Sequence, residues 1–222
     1  MSLIVLKVGG ASAGGAAEAV ARLRAAGTAV CVVHGAGPQI SEEMARRGLE
    51  VQFVGGRRVT TPEGLEVVRD SFAAVSAELC RTIGPDAVPL AGDEIGLKAT
   101  RVPELGLVGR PLPTSPPEIS RVLAAGLVPV VSPLAEGPLN VNADEAASAL
   151  AVGIGAGQIL FLTDVPGVFH DGWLVRSIRA ERAETLVDEG TFDGGIVPKL
   201  LAASHAARNG LVAEIGVTAV LA

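Results

Sequence analysis

The chain has 222 residues, of which 49% are hydrophobic and 19% charged, so it can bury one large core and has little material for long disordered tails. Its net charge of −6 comes without a cluster of lysines and arginines, which argues against a nucleic-acid partner. No apolar run reaches the roughly 18 residues of a membrane span, and the two cysteines form no CxxC pair of the kind that binds zinc.

Apolar runs alternate with helical patterns in the first fifty residues. The sequence predicts strands over 3–8 and 29–33, and helices over 16–26 and 38–47, each helix ending at a glycine. This alternation is typical of a parallel sheet with helices on both faces. We therefore predict an α/β fold, a three-layer αβα sandwich with a mainly parallel central sheet.

The next segment begins with a hairpin over 51–60, around Gly55-Gly56. A long helix over 62–82 follows, with Thr61 as its N-cap and Pro62 in its first position. Apolar residues recur on it at spacings of three and four: Leu65, Val68, Phe72, Val75 and Leu79. This stripe faces either the core of the same chain or the seam of a two-fold dimer.

The second half continues the alternation. Short strands are predicted within 86–112, a helix over 116–125, a strand over 127–132, and a loop leading into a helix over 139–156. A strand over 158–163, helices near 179–188 and 196–209, and a last strand over 212–217 complete the pattern. We expect one domain, 1–222.

The first strand carries one amine, Lys7, and is followed by Gly9 and Gly10. Alternation places Leu6 and Val8 on the opposite face. Lys7 is either a lysine that extends from the strand end to solvent or part of a phosphate site. Glycines favour the second interpretation, because they let backbone N–H groups approach an anion where parallel strands end.

Other polar motifs follow the same logic. "HGAGP" at 34–38 turns a strand into a helix whose first N–H groups can hold an anion, and His34 is interpreted as a hydrogen-bonded support. Arg57 and Arg58 are expected on opposite faces of the hairpin, so only one of them would enter a cleft and bind a carboxylate. The alternative is that both are solvated charges on the hairpin. Asp144 is an N-cap or part of a polar site. Lys199 lies in the first turns of a helix, where a cation is unfavourable without an anion.

In order, these motifs resemble those of the amino acid kinase family, and most closely its members that act on N-acetyl-L-glutamate. The matching segments are Lys7-Val8-Gly9-Gly10, His34-Gly35-Ala36-Gly37-Pro38, Gly56-Arg57-Arg58-Val59-Thr60, Asn140-Val141-Asn142-Ala143-Asp144, Thr163-Asp164-Val165-Pro166-Gly167-Val168 and Gly194-Gly195-Ile196-Val197-Pro198-Lys199. The resemblance implies an acyl-substrate lobe over about 1–135 and a nucleotide lobe over about 136–222.

It also implies that ATP phosphorylates the γ-carboxylate of N-acetyl-L-glutamate, in arginine biosynthesis. This nucleophile is ionised at pH 7, so alignment and charge neutralisation suffice. Lys7 and Lys199 would flank the transferred phosphoryl group, and Asp144 would orient them. Mg²⁺ would bridge the phosphates of ATP, with no metal ligand assigned to the protein.

The binding residues follow from the same resemblance. Those for the acyl substrate are Ala36, Gly37, Arg58, Asn140 and Asn142. Those for phosphate and nucleotide are Gly9, Gly10, Gly35, Asp164, Val165, Pro166, Gly167, Val168, Phe169, Thr191, Phe192 and Asp193.

We further expect a cytoplasmic homodimer that pairs through the helix over 62–82, with no nucleic-acid or membrane partner. The chain starts at its first strand, without the N-terminal helix of arginine-inhibited members, so arginine insensitivity is expected. Ala36 replaces the usual middle glycine of HGGGP, and several loops are short. Two alternatives therefore stay open: a kinase for a carrier-protein-linked aminoadipate or glutamate, and a non-catalytic paralogue that binds nucleotide or amino acid.

Overall fold

The computed structural model describes residues 2–9 and 13–222, and helices alternate with strands along them. The helices are α1 (Ala13–Ala25), α2 (Gly37–Arg46), α3 (Pro62–Ile83), α4 (Pro117–Ala124), α5 (Ala143–Gly153), α6 (Ala180–Asp188) and α7 (Ile196–Arg208), with a 3-10 turn at Pro103–Leu105. The strands are β1 (Leu3–Val8), β2 (Ala29–His34), β3 (Phe53–Val54), β4 (Arg57–Arg58), β5 (Ala87–Ala91), β6 (Ala99–Arg101), β7 (Val108–Pro111), β8 (Val128–Ser132), β9 (Leu134–Ala135), β10 (Leu139–Val141), β11 (Gln158–Leu162), β12 (Phe169–His170), β13 (Trp173–Leu174), β14 (Ser177–Arg179), β15 (Val212–Ile215) and β16 (Thr218–Leu221).

Eight strands form the central sheet, in the order β14-β16-β15-β11-β1-β2-β8-β5. Neighbouring strands run parallel except for the β15–β16 pair. Strand β1 lies between β11 and β2, with Val8 in register with both Leu162 and His34. The carboxyl ends of these three strands therefore lie side by side.

Helices cover both faces of this sheet. Val5 and Cys31 point into one apolar cluster with helices α4–α7, whereas Leu6 and Val32 point into another with α1–α3. The alternation follows from the two-residue period of a strand. The predicted three-layer αβα sandwich with a mainly parallel sheet is confirmed. Among the described residues, no helix combines the length and the apolar character needed to cross a membrane.

Several short strands were not predicted. Strand β10 lies in a stretch predicted as a loop, and it forms because it pairs with β7 on one side and β9 on the other. Strand β16 follows β15 after a tight turn in which Gly216 adopts a φ of 57°, a value that side chains rarely tolerate. Strands of two to four residues contain too few alternations for a sequence period to reveal them.

Helix α3 begins as predicted, with the Thr61 hydroxyl accepting a hydrogen bond from the Gly64 N–H and with Pro62 in the first position. Its apolar stripe is buried within the single chain, where it packs against α1, α2 and the sheet. The buried residues of the stripe are Leu65, Val68, Phe72, Val75 and Leu79. The core interpretation is therefore confirmed, and the use of this stripe as a dimer seam is wrong. Spacing along a helix does not distinguish a sheet of the same chain from a partner helix.

Truncation of the stripe is expected to destabilise the monomer fold. Leu79→Ala removes a side chain that is 1% exposed, so it should lower the free energy of unfolding by about 2–5 kcal/mol. The matched control, Leu201→Ala, truncates a helical leucine that is 42% exposed and should change it by less than about 1 kcal/mol. Chemical denaturation measures both, and equal losses would contradict the assignment of Leu79 to the core.

Candidate active site

A cavity of about 470 Å³ opens where β1, β2 and β11 end. Its walls come from the turns after these strands, from the β3–β4 hairpin and from the first turns of α5 and α7. Four cationic side chains (Lys7, Arg57, Arg58, Lys199) and two acidic ones (Asp144, Asp164) line it. In a chain of net charge −6, this local excess of positive charge favours anionic ligands.

Two lysines converge on one carboxylate in this cavity. The Nζ of Lys7 lies 2.8 Å from Oδ1 of Asp144, and the Nζ of Lys199 lies 3.6 Å from Oδ2. Burial lowers the pKa of Lys7, the Asp144 carboxylate opposes this shift, and the Lys199 ammonium adds to it. One carboxylate therefore serves two ammonium groups, and the cluster retains charge for a further anion.

Local sequence explains the position of Asp144. The N-cap of α5 is Asn142, whose side-chain oxygen accepts from the N–H groups of Asp144 and Glu145 at 2.9 and 3.2 Å. The interpretation of Asp144 as an N-cap is therefore wrong, because its carboxylate turns to the lysines instead. The other end of the Asn142 amide donates to the Gly56 carbonyl at 2.9 Å, so Asn142 lines the cavity with both ends engaged.

The glycine turns border the cavity in different ways. Gly9 lines it, and Gly10 lies outside the described residues. Gly35 was predicted to bind phosphate or nucleotide. Its N–H instead donates to the Val8 carbonyl at 2.9 Å, so this N–H is already engaged within the protein. Gly35 instead permits close passage of the chain, since a Cβ there would lie 3.4 Å from that of Ala143.

Ala36 and Gly37 begin helix α2, as its N-cap and first residue. The N–H groups at a helix start have no acceptor within the helix, so these two positions suit an anionic oxygen. Both residues line the cavity. Ala36 is 1% exposed and belongs to the apolar cluster with α1–α3, so its methyl group is packed in the core.

The two arginines of the hairpin differ in their surroundings. Arg58 is buried under the ring of Phe53, 4.5 Å from its centroid, and donates to the Gly37 carbonyl at 3.0 Å and to the Ser41 hydroxyl at 2.8 Å. Burial lowers the pKa of Arg58. In residues 2–9 and 13–222 no carboxylate lies within ion-pair distance of it, which leaves it suited to a carboxylate ligand.

Arg57 also lines the cavity, although only one arginine was expected to enter it. Its guanidinium contacts the carboxylate of Glu145 in α5 twice, with Nη2 2.8 Å from Oε1 and Nε 3.2 Å from Oε2. Asn140, in β10, is buried beside the cavity and donates to the Thr60 hydroxyl at 3.0 Å. The hairpin, β10 and α5 thus share one polar wall.

Six of the twelve residues predicted for phosphate and nucleotide line a second cavity, of about 300 Å³. It is lined by Val165, Gly167, Phe169, Thr191, Phe192, Asp193 and Ile196. Asp164 lines the main cavity instead, and the exposed Pro166 lines neither. Val168 was predicted to bind nucleotide, but its side chain is fully buried in the core and its N–H donates to the Thr218 hydroxyl at 2.9 Å.

His34 is a support, as predicted. It is fully buried, its Nε2 lies 2.7 Å from the Ser76 hydroxyl, and burial lowers its pKa to about 4. Sequence reasoning missed Phe53 and Glu145. The position of Phe53 is readable from a two-residue hairpin turn, which pairs it with Arg58, whereas nothing local indicates Glu145.

Comparison with known proteins identifies the family of this chain. The model of the amino acid kinase family matches residues 2–216. The chain is 42% identical to the acetylglutamate kinase of Rubrobacter xylanophilus, over 97% of this chain and 88% of that protein. It is also 42% identical to the acetylglutamate kinase of a Nocardioides species, over 88% and 69% of the two chains.

A solved structure agrees in fold. The crystal structure of smu.665 from Streptococcus mutans superposes with a TM-score of 0.88, at 24% identity, over 99% of this chain and 98% of that one. The match to the family model spans both lysines and the aspartate between them. The chain therefore belongs to the amino acid kinase family.

Proposed function

We propose that this chain transfers the γ-phosphoryl group of ATP to the γ-carboxylate of N-acetyl-L-glutamate, as a cytoplasmic step of arginine biosynthesis. The observation that carries the proposal is the meeting of Lys7 and Lys199 at Asp144 in one cavity. Relatives named acetylglutamate kinase, over most of the chain, support the choice of substrate. Residues of about 1–135 hold most of the acyl substrate, and those of about 136–222 hold most of the nucleotide.

In this mechanism Arg58 binds the α-carboxylate of the substrate, because it is a buried cation that lacks an acidic partner within the described residues. Asn140 and the N–H groups of Ala36 and Gly37 hold other substrate oxygens. These contacts align the γ-carboxylate for attack. The acceptor is already an anion, so no side chain has to remove a proton from it.

The lysines act on the transferred group. Lys7 and Lys199 neutralise its equatorial oxygens, and Asp144 keeps the two ammonium groups together before the anion arrives. When bound with ATP, Mg²⁺ would supply further charge neutralisation on the phosphates. In this proposal Mg²⁺ would be held through the phosphates of ATP, as is usual where a metal keeps several of its waters.

A coupled assay of ADP release tests the substrate. We expect turnover with N-acetyl-L-glutamate and little with glutamate, aspartate, carbamate or UMP. A preference for a carrier-linked aminoadipate or glutamate would replace the proposed acceptor. Absence of turnover with every acceptor would favour a binding protein without catalysis.

Loss of either lysine of the pair should abolish most of the activity. Lys7→Met and Lys199→Met are each expected to lower kcat at least roughly a hundredfold, about 2.7 kcal/mol of transition-state stabilisation. The matched control is Lys98→Met, at an exposed lysine paired with Glu136, and it should keep normal kcat. Near-normal turnover in the first two variants would eliminate the mechanism.

Arg58→Gln should weaken binding of the acyl substrate specifically. Loss of a charged hydrogen-bonding group is worth about 1.5–3 kcal/mol, so the KM for N-acetyl-L-glutamate should rise roughly ten- to hundredfold while the KM for ATP changes little. Arg101→Gln, at an exposed arginine, is the control. A rise in both KM values, at unchanged melting temperature, would contradict this role for Arg58.

A homodimer through α3 belongs to the same proposal, now on the face opposite the buried stripe. This face exposes Ala73, Ala74 and Ala77, small enough for close approach. A groove of about 460 Å³ runs between it and β5, the edge strand of the central sheet. Because the edge of a sheet can pair with another chain and most oligomers are symmetric, we take a second copy of the chain as the occupant.

Sedimentation tests this interface. The wild-type protein should sediment at twice 22.4 kDa, and Ala77→Glu should shift it to the monomer mass by placing a carboxylate in the contact. Ala124→Glu, on α4 at the other face of the sheet, should stay dimeric. An Ala77→Glu variant that keeps the dimer mass would rule out this face.

A further inference from the structure

The β3–β4 hairpin, Phe53–Arg58, forms one wall of the main cavity but has little structure of its own. Each strand is two residues long, and residues 51–56 are exposed. A two-stranded ribbon of this size is marginally stable at best in water. Its position must therefore come from contacts with other elements.

Two contacts tie the hairpin to the start of α5. Asn142 donates to the Gly56 carbonyl at 2.9 Å. Arg57 meets Glu145 at two points, with Nη2 to Oε1 at 2.8 Å and Nε to Oε2 at 3.2 Å. The two side chains are 20% and 21% exposed, so water screens them less than a surface pair. The two-point geometry fixes orientation as well as distance.

These contacts flank the proposed reaction centre. Asn142 and Glu145 lie on either side of Asp144 in sequence. Gly56 lies close to Pro198, directly before Lys199, since a Cβ at Gly56 would be 3.6 Å from the Cβ of Pro198. A shift of the hairpin would therefore reach both Asp144 and Lys199, besides displacing Arg58.

We propose that the Arg57–Glu145 ion pair holds the hairpin against α5 and thereby positions Arg58 over the substrate and Asp144 between the two lysines. Arg57 and Glu145 are positioning residues, because their charges are engaged with each other. The kinetic consequence rests on the proposed function, whereas the closed position of the hairpin does not. Burial raises the pKa of Glu145 and Arg57 opposes that shift, with a smaller opposing effect from Arg110, so loss of Arg57 leaves a poorly solvated carboxylate.

Amide hydrogen exchange of the hairpin tests the contact directly, in the full-length protein without substrates. Arg57→Gln and Glu145→Gln should each speed exchange across 53–58 about tenfold. The double variant should be no faster than the faster single one, because both remove one interaction. Arg208→Gln is the matched control: it breaks the two-point pair with Glu184 between α6 and α7 and should leave the hairpin unchanged.

Steady-state kinetics of the same variants tests the positioning role. Arg57→Gln and Glu145→Gln should lower kcat about tenfold and raise the KM for N-acetyl-L-glutamate, with the KM for ATP unchanged. Arg57→Lys, which keeps the charge without the two-point geometry, should recover part of the loss. A merely structural pair would lower the melting temperature and leave kcat unchanged.

Unchanged hairpin exchange in Arg57→Gln, or additive effects in the double variant, would overturn the inference. Wild-type kcat in both single variants would overturn the positioning role. A wild-type protein without kinase activity would instead overturn the proposed function, and the exchange rates would still decide whether the ion pair holds the hairpin.

Discussion

The arrangement on which the site depends is a carboxylate shared between two ammonium groups at the end of a buried strand. Lys7 is 4% exposed, and a buried ammonium is costly unless it is paired. Asp144 supplies that pairing and also contacts Lys199, so one carboxylate partly neutralises two ammonium groups. The residual positive charge of this cluster is what the proposed phosphoryl group would neutralise, so the pairing that makes a buried lysine tolerable also leaves charge for an anionic ligand.

The fold makes this arrangement possible by bringing three distant segments together. Strand β1 lies inside the parallel sheet, so its carboxyl end meets those of β2 and β11. Helices α5 and α7 pack on the Lys7 face and direct their first turns to the same edge. Lys199 near the start of α7 opposes the helix dipole, and Asp144, at the start of α5 where an acid is favoured, compensates it.

The wall opposite the lysines is built differently. The hairpin is short and exposed, and contacts with two helices hold it in place. Arg58 is hydrogen-bonded to α2, and Arg57 is paired with Glu145 of α5. Strands and helix starts therefore carry the lysine pair and Asp144, while a small hairpin carries Arg58.

The sequence by itself determined the alternation of strands and helices, the glycine turns and the order of polar motifs, because period, capping and turn chemistry are local properties. The order of the motifs and their resemblance to the family predicted one site for Lys7, Arg58, Asp144 and Lys199, and all four line the same cavity. Only the tertiary structure decided that the stripe of α3 faces its own sheet, that the Gly35 N–H is engaged by Val8 and that Val168 lies in the core. It also decided that Arg57 meets Glu145, 88 positions away. Burial and pairing of this kind depend on which distant segments share a surface, and no local pattern encodes that.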